Sequence, residues 1–491
     1  MVSTMGARAA SAILALLLLS SWSLMAVMAY QGRSGMEGRG KRDEEEAPGS
    51  PEGRGLFILS RSKKVLKTDS GEVRLVMGYR YRGNPSPMHI GFITMEPNTL
   101  YIPQYIDASL ILFVRTGEAK VGYIHKNKLV EKRLKSGHIN AIPAGSSFYV
   151  VNSGKSERLH IICSIDTLES IEYGAFPQSF YIGGGVLPRS VLSGFDASTL
   201  SAALNVSSDQ LEMIMKSQRG GPIIRLNSEA ADQPDYLSSI KKLQERMTQE
   251  EEIDSDDDDE AKQEELDDLW TWRCLLNSLL GKGDCRVQRK RGLVHSPESY
   301  NLYDTKPSYQ NDYGYSIAID KHDYSALRHS NLGVYLVNLE AGAMLSPHVN
   351  PTATEYGIVL RGSGTIQVAF PNGTAAMNAE VSEGDVFWIP RYFPFCQIAS
   401  NGAPLEFFGF TTSARKNRPQ FLVGASSLLH SMRGPELAAA FGVSEEQLER
   451  LVKAQREAVI LPTSPHRGME ENGKEKRKAD QVLVMKRGLF A

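Results

Sequence analysis

The chain has 491 residues, a formal net charge of −2 and 23% charged residues. At roughly 150 residues per domain that length has room for about three cores. The near-neutral balance gives no global field of the kind that draws a protein onto nucleic acid, and four cysteines in so long a chain exclude a disulfide scaffold.

Arg8 precedes an apolar run centred on Ala12 to Leu19, and Ala26-Val27-Met28-Ala29 places small residues before Tyr30. This is the pattern of a secretory signal peptide covering residues 1–29, cleaved after Ala29. An uncleaved membrane anchor is the competing reading, and Ser20, Ser21 and Ser23 interrupt the run against it. No later stretch is apolar enough to span a bilayer, so no membrane contact is expected after cleavage. Residues 30–55 are Gly, Arg, Glu and Pro with almost nothing to bury, a composition expected to form a disordered leader.

Order is expected from Leu56. Within residues 56–225, Gly137, five residues, Pro143-Ala-Gly145, two residues, Phe148, three residues and Asn152 form one spaced pattern. A second pattern follows in residues 198–219, where two predicted helices meet. Ser207-x-x-Gln210 is a capping box, which satisfies free N–H groups at a helix start, and Asn205 just before it can end the preceding helix in a left-handed turn. Leu211, Ile214 and Met215 then step at helical spacing.

Residues 226–312 read as a linker. Asp235 to Thr248 has helical spacing, and Glu250 to Asp268 holds thirteen carboxylates against one lysine. Such a block repels itself and is expected to be a solvated excursion that proteases cut first. Asp254, Asp256, Asp258 and Glu265 have the spacing of a calcium loop, but Asp259 stands where its turn glycine belongs. Cys274 and Cys285 are close enough in sequence to bridge in an oxidising compartment. Cys163 and Cys396 lie in strand patterns and read as buried small hydrophobes.

Residues 313–463 repeat the plan. Gly342, five residues, His348, Val349, Asn350, four residues, Glu355, six residues and Gly362 are followed by Gly384, five residues and Pro390. Around them, Tyr356 to Leu360, Thr365 to Phe370 and Val386 to Ile389 read as strands. Pro371-Asn372-Gly373 reads as a hairpin turn, because Asn372 and Gly373 both tolerate positive φ. The first half aligns with the second at an offset of 244, which places Gln104 and Ile106 opposite His348 and Asn350; a one-residue drift, within the spacing the pattern allows, then places Leu110 opposite Glu355 and Gly117 opposite Gly362. The helical unit recurs at an offset of 237, with Ser444-x-x-Gln447 as capping box, Gly442 before it, and Leu448, Leu451 and Val452 after it. Residues 464–491 form a polar tail with a short apolar end.

These spacings resemble the two signature motifs of the cupin superfamily. The resemblance implies two tandem jelly-roll β-barrels, each followed by a helix-turn-helix arm, a mainly β fold with α-helical extensions. Cupin enzymes gather three histidines and one glutamate around iron, manganese or a similar ion, because such ions need several imidazole or carboxylate ligands at once. Here the second barrel keeps His348 and Glu355 but has Asn350 and Phe395 at the other two positions. The first barrel has Gln104, Ile106, Leu110 and Phe148. No catalytic residue, cofactor or metal is therefore expected; the weak metal candidates are His348, Glu355 and Cys396, which would suit copper, manganese or iron in the second barrel. Two sequons, at Asn205 and Asn372, mark candidate glycosylation sites.

Duplicated barrels, trailing helical arms, Pro143-Ala-Gly-Ser146 and the closing Arg456-Glu-Ala-Val-Ile-Leu-Pro462 run resemble the vicilin (7S globulin) seed-storage family. The resemblance implies a non-catalytic nutrient reservoir. It would travel the secretory pathway to protein storage vacuoles, pack as a homotrimer through its arms, and meet processing and vacuolar proteases. The alternatives are a metal-dependent oxidase or dioxygenase, a small-ligand binder using the second barrel, and an extracellular destination.

Overall fold

In the first half, short β-branched and aromatic runs pair into two facing antiparallel sheets. One is ordered Lys63–Thr68, Gly71–Val76, Met88–Met95, Leu159–Asp166, Ser109–Thr116, His138–Ile142 and Tyr300–Asn301. The other runs Ser179–Tyr181, Thr99–Ile106, Phe148–Asn152, Ala119–His125 and Lys128–Leu134, with Ile223–Arg225 also paired to Thr99–Ile106. The computed structural model describes residues 55–463 apart from 60–61, 79–87, 126–127, 155, 168–169, 171–176, 227–298, 331 and 415–418. The expected signal peptide, most of the expected leader, the acidic run with its calcium-like spacing, Cys274, Cys285 and the tail lie outside the described residues.

Side-chain alternation places the core. Leu110, Leu112 and Val114 pack inside the first barrel with Phe148, Val150 and Ile161, whereas Ile111 and Phe113 join the cluster dominated by the second half. A strand covered on both faces needs no polar side, which is why Ser109–Thr116 reads as an unbroken apolar run.

The second half joins its strands into one wrapped sheet. Glu355–Ala369 pairs with Leu405–Thr411 along its first part and with Phe395–Ala399 and Ala375–Ser382 along its second. The two strands expected on either side of Gly362 are thus one bent strand. Gly362 carries the bend at φ +83°, and a Cβ there would lie 1.7 Å from the Pro404 carbonyl oxygen. The equivalent Gly117 instead separates two strands. The expected hairpin forms at 371–373, with positive φ at Gly373 and not at Asn372. Gly373 N donates to Phe370 O at 2.9 Å and Phe370 N to Thr374 O at 2.8 Å, a three-residue loop closed by a glycine in the left-handed region.

The halves hold each other reciprocally. Phe113 stacks on Phe408 with ring centroids 4.0 Å apart, and Arg115 Nη2 donates to Leu360 O at 2.7 Å. The N-terminal Phe57 to Leu59 lies along Val386–Ile389 of the second barrel, with Leu59 N on Val386 O (2.8 Å) and Trp388 N on Phe57 O (3.0 Å). In return Tyr300–Asn301, within the stretch read as linker, adds to His138–Ile142 of the first barrel. Phe57 and Leu302 are both fully buried.

The arms form as their sequence patterns indicate. Helices α1 (Ala197–Leu204) and α2 (Ser208–Ser217) follow the first barrel; α3 (Leu428–Ser431), α4 (Pro435–Phe441) and α5 (Glu445–Ala454) follow the second. Both capping boxes are made, and Asn205 and Gly442 end α1 and α4 in the left-handed conformation. The expected apolar stripe is only partly used. Leu211, Leu448 and Val452 are buried, whereas the equivalent Ile214 and Leu451 are 56% and 65% exposed.

Candidate functional site

Strand register tests the alignment of the two interiors. In the second barrel His348 sits opposite Phe395, and in the first Gln104 sits opposite Phe148, each after a bulge in the same strand. Glu355 pairs with Ile389 and Thr411; Leu110 pairs with Ile142 and Ile165. His348 and Gln104, and likewise Glu355 and Leu110, are therefore structurally equivalent.

In the second barrel these side chains are committed to one another. His348 Nδ1 lies 2.7 Å from Ser346 O; the carbonyl accepts, so Nδ1 carries the proton of a neutral imidazole. Its ring packs 4.0 Å from the Phe395 ring and 5.3 Å from Phe421 between centroids. Burial holds the imidazole neutral, pushing its pKa down to about 4. Asn350 Nδ2 donates to Glu355 Oε1 at 2.7 Å, while Asn350 Oδ1 accepts from Thr352 N, Thr352 Oγ1 and Ala353 N at 3.0–3.1 Å. Burial pushes the Glu355 carboxyl up to about 7, and the Asn350 bond opposes that only in part. The buried Tyr335 hydroxyl, which donates to Tyr356 O at 3.0 Å, is raised by burial and by the Glu355 charge.

A cupin metal centre fits neither interior. Phe395 fills the space beside His348 with an aromatic ring where the fold would supply another imidazole. Cys396 points to the opposite face of its strand, pairing with Gln367, and its Sγ lies 3.9 Å from Gln367 Oε1. Its thiol is pushed up to about 11 by burial, away from the thiolate a metal binds. Among the described residues no three of His, Cys, Asp and Glu come together as a metal site. In the first barrel, Gln104 is fully buried, and neither atom of its carboxamide has a hydrogen-bond partner among the described residues.

The surviving signature residues serve the barrel instead. Asn152, fully buried, donates from Nδ2 to Met95 O, Glu96 O and Glu157 O at 3.0–3.1 Å and accepts from Gly154 N at 2.9 Å. It ties three chain segments together. At the glycine of the same motif, Gly145 has φ +75° and its counterpart Tyr392 keeps φ +71° despite its side chain. Tyr335 and Phe421 were not singled out by the motifs, because both reach the site from strands distant in sequence. The sequons fall at the α1–α2 turn and at the 371–373 hairpin, both exposed.

Comparison with known proteins agrees with this geometry. The family model for cupin matches residues 57–178 and 300–449. A vicilin-like seed storage protein of Arabidopsis thaliana is 52% identical over 84% of this chain and 82% of its own length. A second one from the same plant is 29% identical over 83% of this chain, which spans about half (53%) of that relative. The crystal structure of vicilin from Corylus avellana (hazelnut) superposes with a TM-score of 0.65 at 22% identity, covering 83% of this chain and 99% of that one. With both cupin regions matched and a relative of majority identity aligned across most of both chains, this protein belongs to the vicilin-like seed storage family of the cupin superfamily.

Proposed function

We propose that this chain is a non-catalytic nutrient reservoir, made as a secretory precursor and packed as a homotrimer in protein storage vacuoles. The observation that carries the packing is a repeated one. Equivalent apolar residues stay exposed on both arms: Leu204 at 49% and Phe441 at 57%, Ile214 at 56% and Leu451 at 65%. Covering what remains exposed of each such side chain gains roughly 1 kcal/mol, about half the gain of full burial, so four of them favour a partner surface. Two like arms on one chain let one copy's arm meet the next copy's other arm, and head-to-tail contacts of that kind close a ring. The interiors support the non-catalytic half of the reading, since Phe395 and Phe148 occupy ligand positions and His348, Asn350 and Glu355 bond within the barrel. Processing and vacuolar proteases are the remaining partners, acting on the acidic linker.

Light scattering tests this directly: the mass in solution should be near three chains. Replacing Ile214 and Leu451 together by Asp should bring it to one chain without lowering the β-sheet signal in circular dichroism. A monomeric parent protein, or a stoichiometric transition metal with turnover of an organic substrate, would refute the proposal.

A further inference from the structure

We propose that Asn372, and not Asn205, carries an N-linked glycan. The two sequons look alike in sequence, and the fold treats them differently. At the hairpin, Asn372 Oδ1 accepts from Thr374 N at 3.1 Å and from Thr374 Oγ1 at 2.8 Å, so the sequon's hydroxyl sits on its own carboxamide. Both side-chain bonds run through Oδ1 and leave Nδ2, the atom a glycan takes, clear of them. Residues 371–375 are all exposed, and a Cβ placed on Gly373 would find no atom within 4 Å. The loop is thus a free tip whose modification disturbs no strand pairing.

At the other sequon the hydroxyl is engaged elsewhere. Ser207 Oγ accepts from Gln210 N at 3.3 Å as the N-cap of α2, and it also lies 3.3 Å from Gln210 Oε1. Asn205 ends α1 at φ 53°, ψ 47°, immediately after the exposed Leu204. A branched oligosaccharide there would stand in the face that the arms offer to a neighbouring copy; this part of the argument rests on the trimer proposed above.

In the transfer, Asn372 Nδ2 bonds to the anomeric carbon of an oligosaccharide carried on a polyprenyl diphosphate. The carbon–oxygen bond to the diphosphate breaks with its electron pair leaving on the phosphate oxygen, and the amide gives one proton to a base of the transferase. The product is a neutral sugar on an exposed turn.

The full chain, produced in a eukaryotic secretory host, is treated with a glycanase in 18O water and its peptides are mapped by mass spectrometry. The conversion of glycosylated Asn to labelled Asp is expected at Asn372 and absent at Asn205. Asn372→Gln and Thr374→Ala should each remove the gel shift, Thr374→Ser should keep it, and Asn205→Gln should leave it unchanged. Label at Asn205, or none at Asn372, overturns the proposal; the mapping of the parent protein decides this even if a variant is not secreted. Light scattering of the same sample separates the two readings. A labelled Asn372 on a monomer keeps the site and removes the arm contact, whereas a label at Asn205 in an intact trimer does the reverse.

Discussion

Replacing Glu355 by Gln should make the protein more stable at alkaline pH and leave it nearly unchanged in acid. The carboxyl is buried against Asn350 and Tyr335, and burial raises its pKa from 4.5 to about 7. A folded value above the unfolded one means that the favourable contribution is complete below pH 4.5 and is lost as pH rises through 7. At about 1.4 kcal/mol per unit, a shift of this size costs the parent protein about 3 kcal/mol by pH 8. Gln keeps an oxygen for the Asn350 Nδ2 bond and has no charge to bury. Unfolding free energies from guanidinium titrations, read for parent and E355Q at the same protein concentration from pH 4 to pH 8, should coincide in acid and separate by about 3 kcal/mol at pH 8. A difference that does not grow between pH 5 and pH 8 would show that Glu355 meets water or an undescribed cation, and the reasoning would fail.

His348 should act in the opposite sense. Its folded pKa of about 4 lies below the ordinary 6.5, so its contribution is present above pH 6.5 and lost as pH falls through 4; His348→Leu should remove about 3 kcal/mol of acid sensitivity in the same titration. Asn152→Ala removes the two Nδ2 hydrogens shared among three backbone carbonyls and the bond accepted from Gly154 N; it should cost about 2–4 kcal/mol, seen as a lower melting temperature. Tyr392→Gly should stabilise by about 1 kcal/mol, because a non-glycine residue at φ +71° carries strain that glycine does not. A lower melting temperature for Tyr392→Gly would mean that the exposed ring's contact with Arg391 outweighs that strain.

What the sequence disclosed was local or repeated. The capping boxes at Ser207 and Ser444 could be read because a hydroxyl and a glutamine three residues apart recognise each other within one helical turn. The offset repeat placed Gln104 opposite His348 without any knowledge of register, because both halves descend through the same strand order. What stayed hidden depends on contacts across the fold. Gly362 looked like a break because glycine ends strands as readily as it bends them, and only the approach of Pro404 decides between the two. Phe421 reaches His348 through a two-residue strand too short to show alternation. Ile214 and Leu451 have the spacing of core positions, and periodicity cannot tell a face covered by its own barrel from one left for another molecule.

The exchange of Phe57 to Leu59 for Tyr300–Asn301 makes the duplication indivisible. The first barrel borrows its outermost strand from the other's flank, the second borrows the Phe57 to Leu59 segment along Val386–Ile389, and each loan brings a buried plug, Leu302 or Phe57. A half produced alone would therefore expose a raw sheet margin and a greasy socket, and should clump. A chain severed anywhere between residues 227 and 298 would behave oppositely. Its two pieces remain buckled at both ends and should travel through a sizing column as one body until denaturant undoes the clasp.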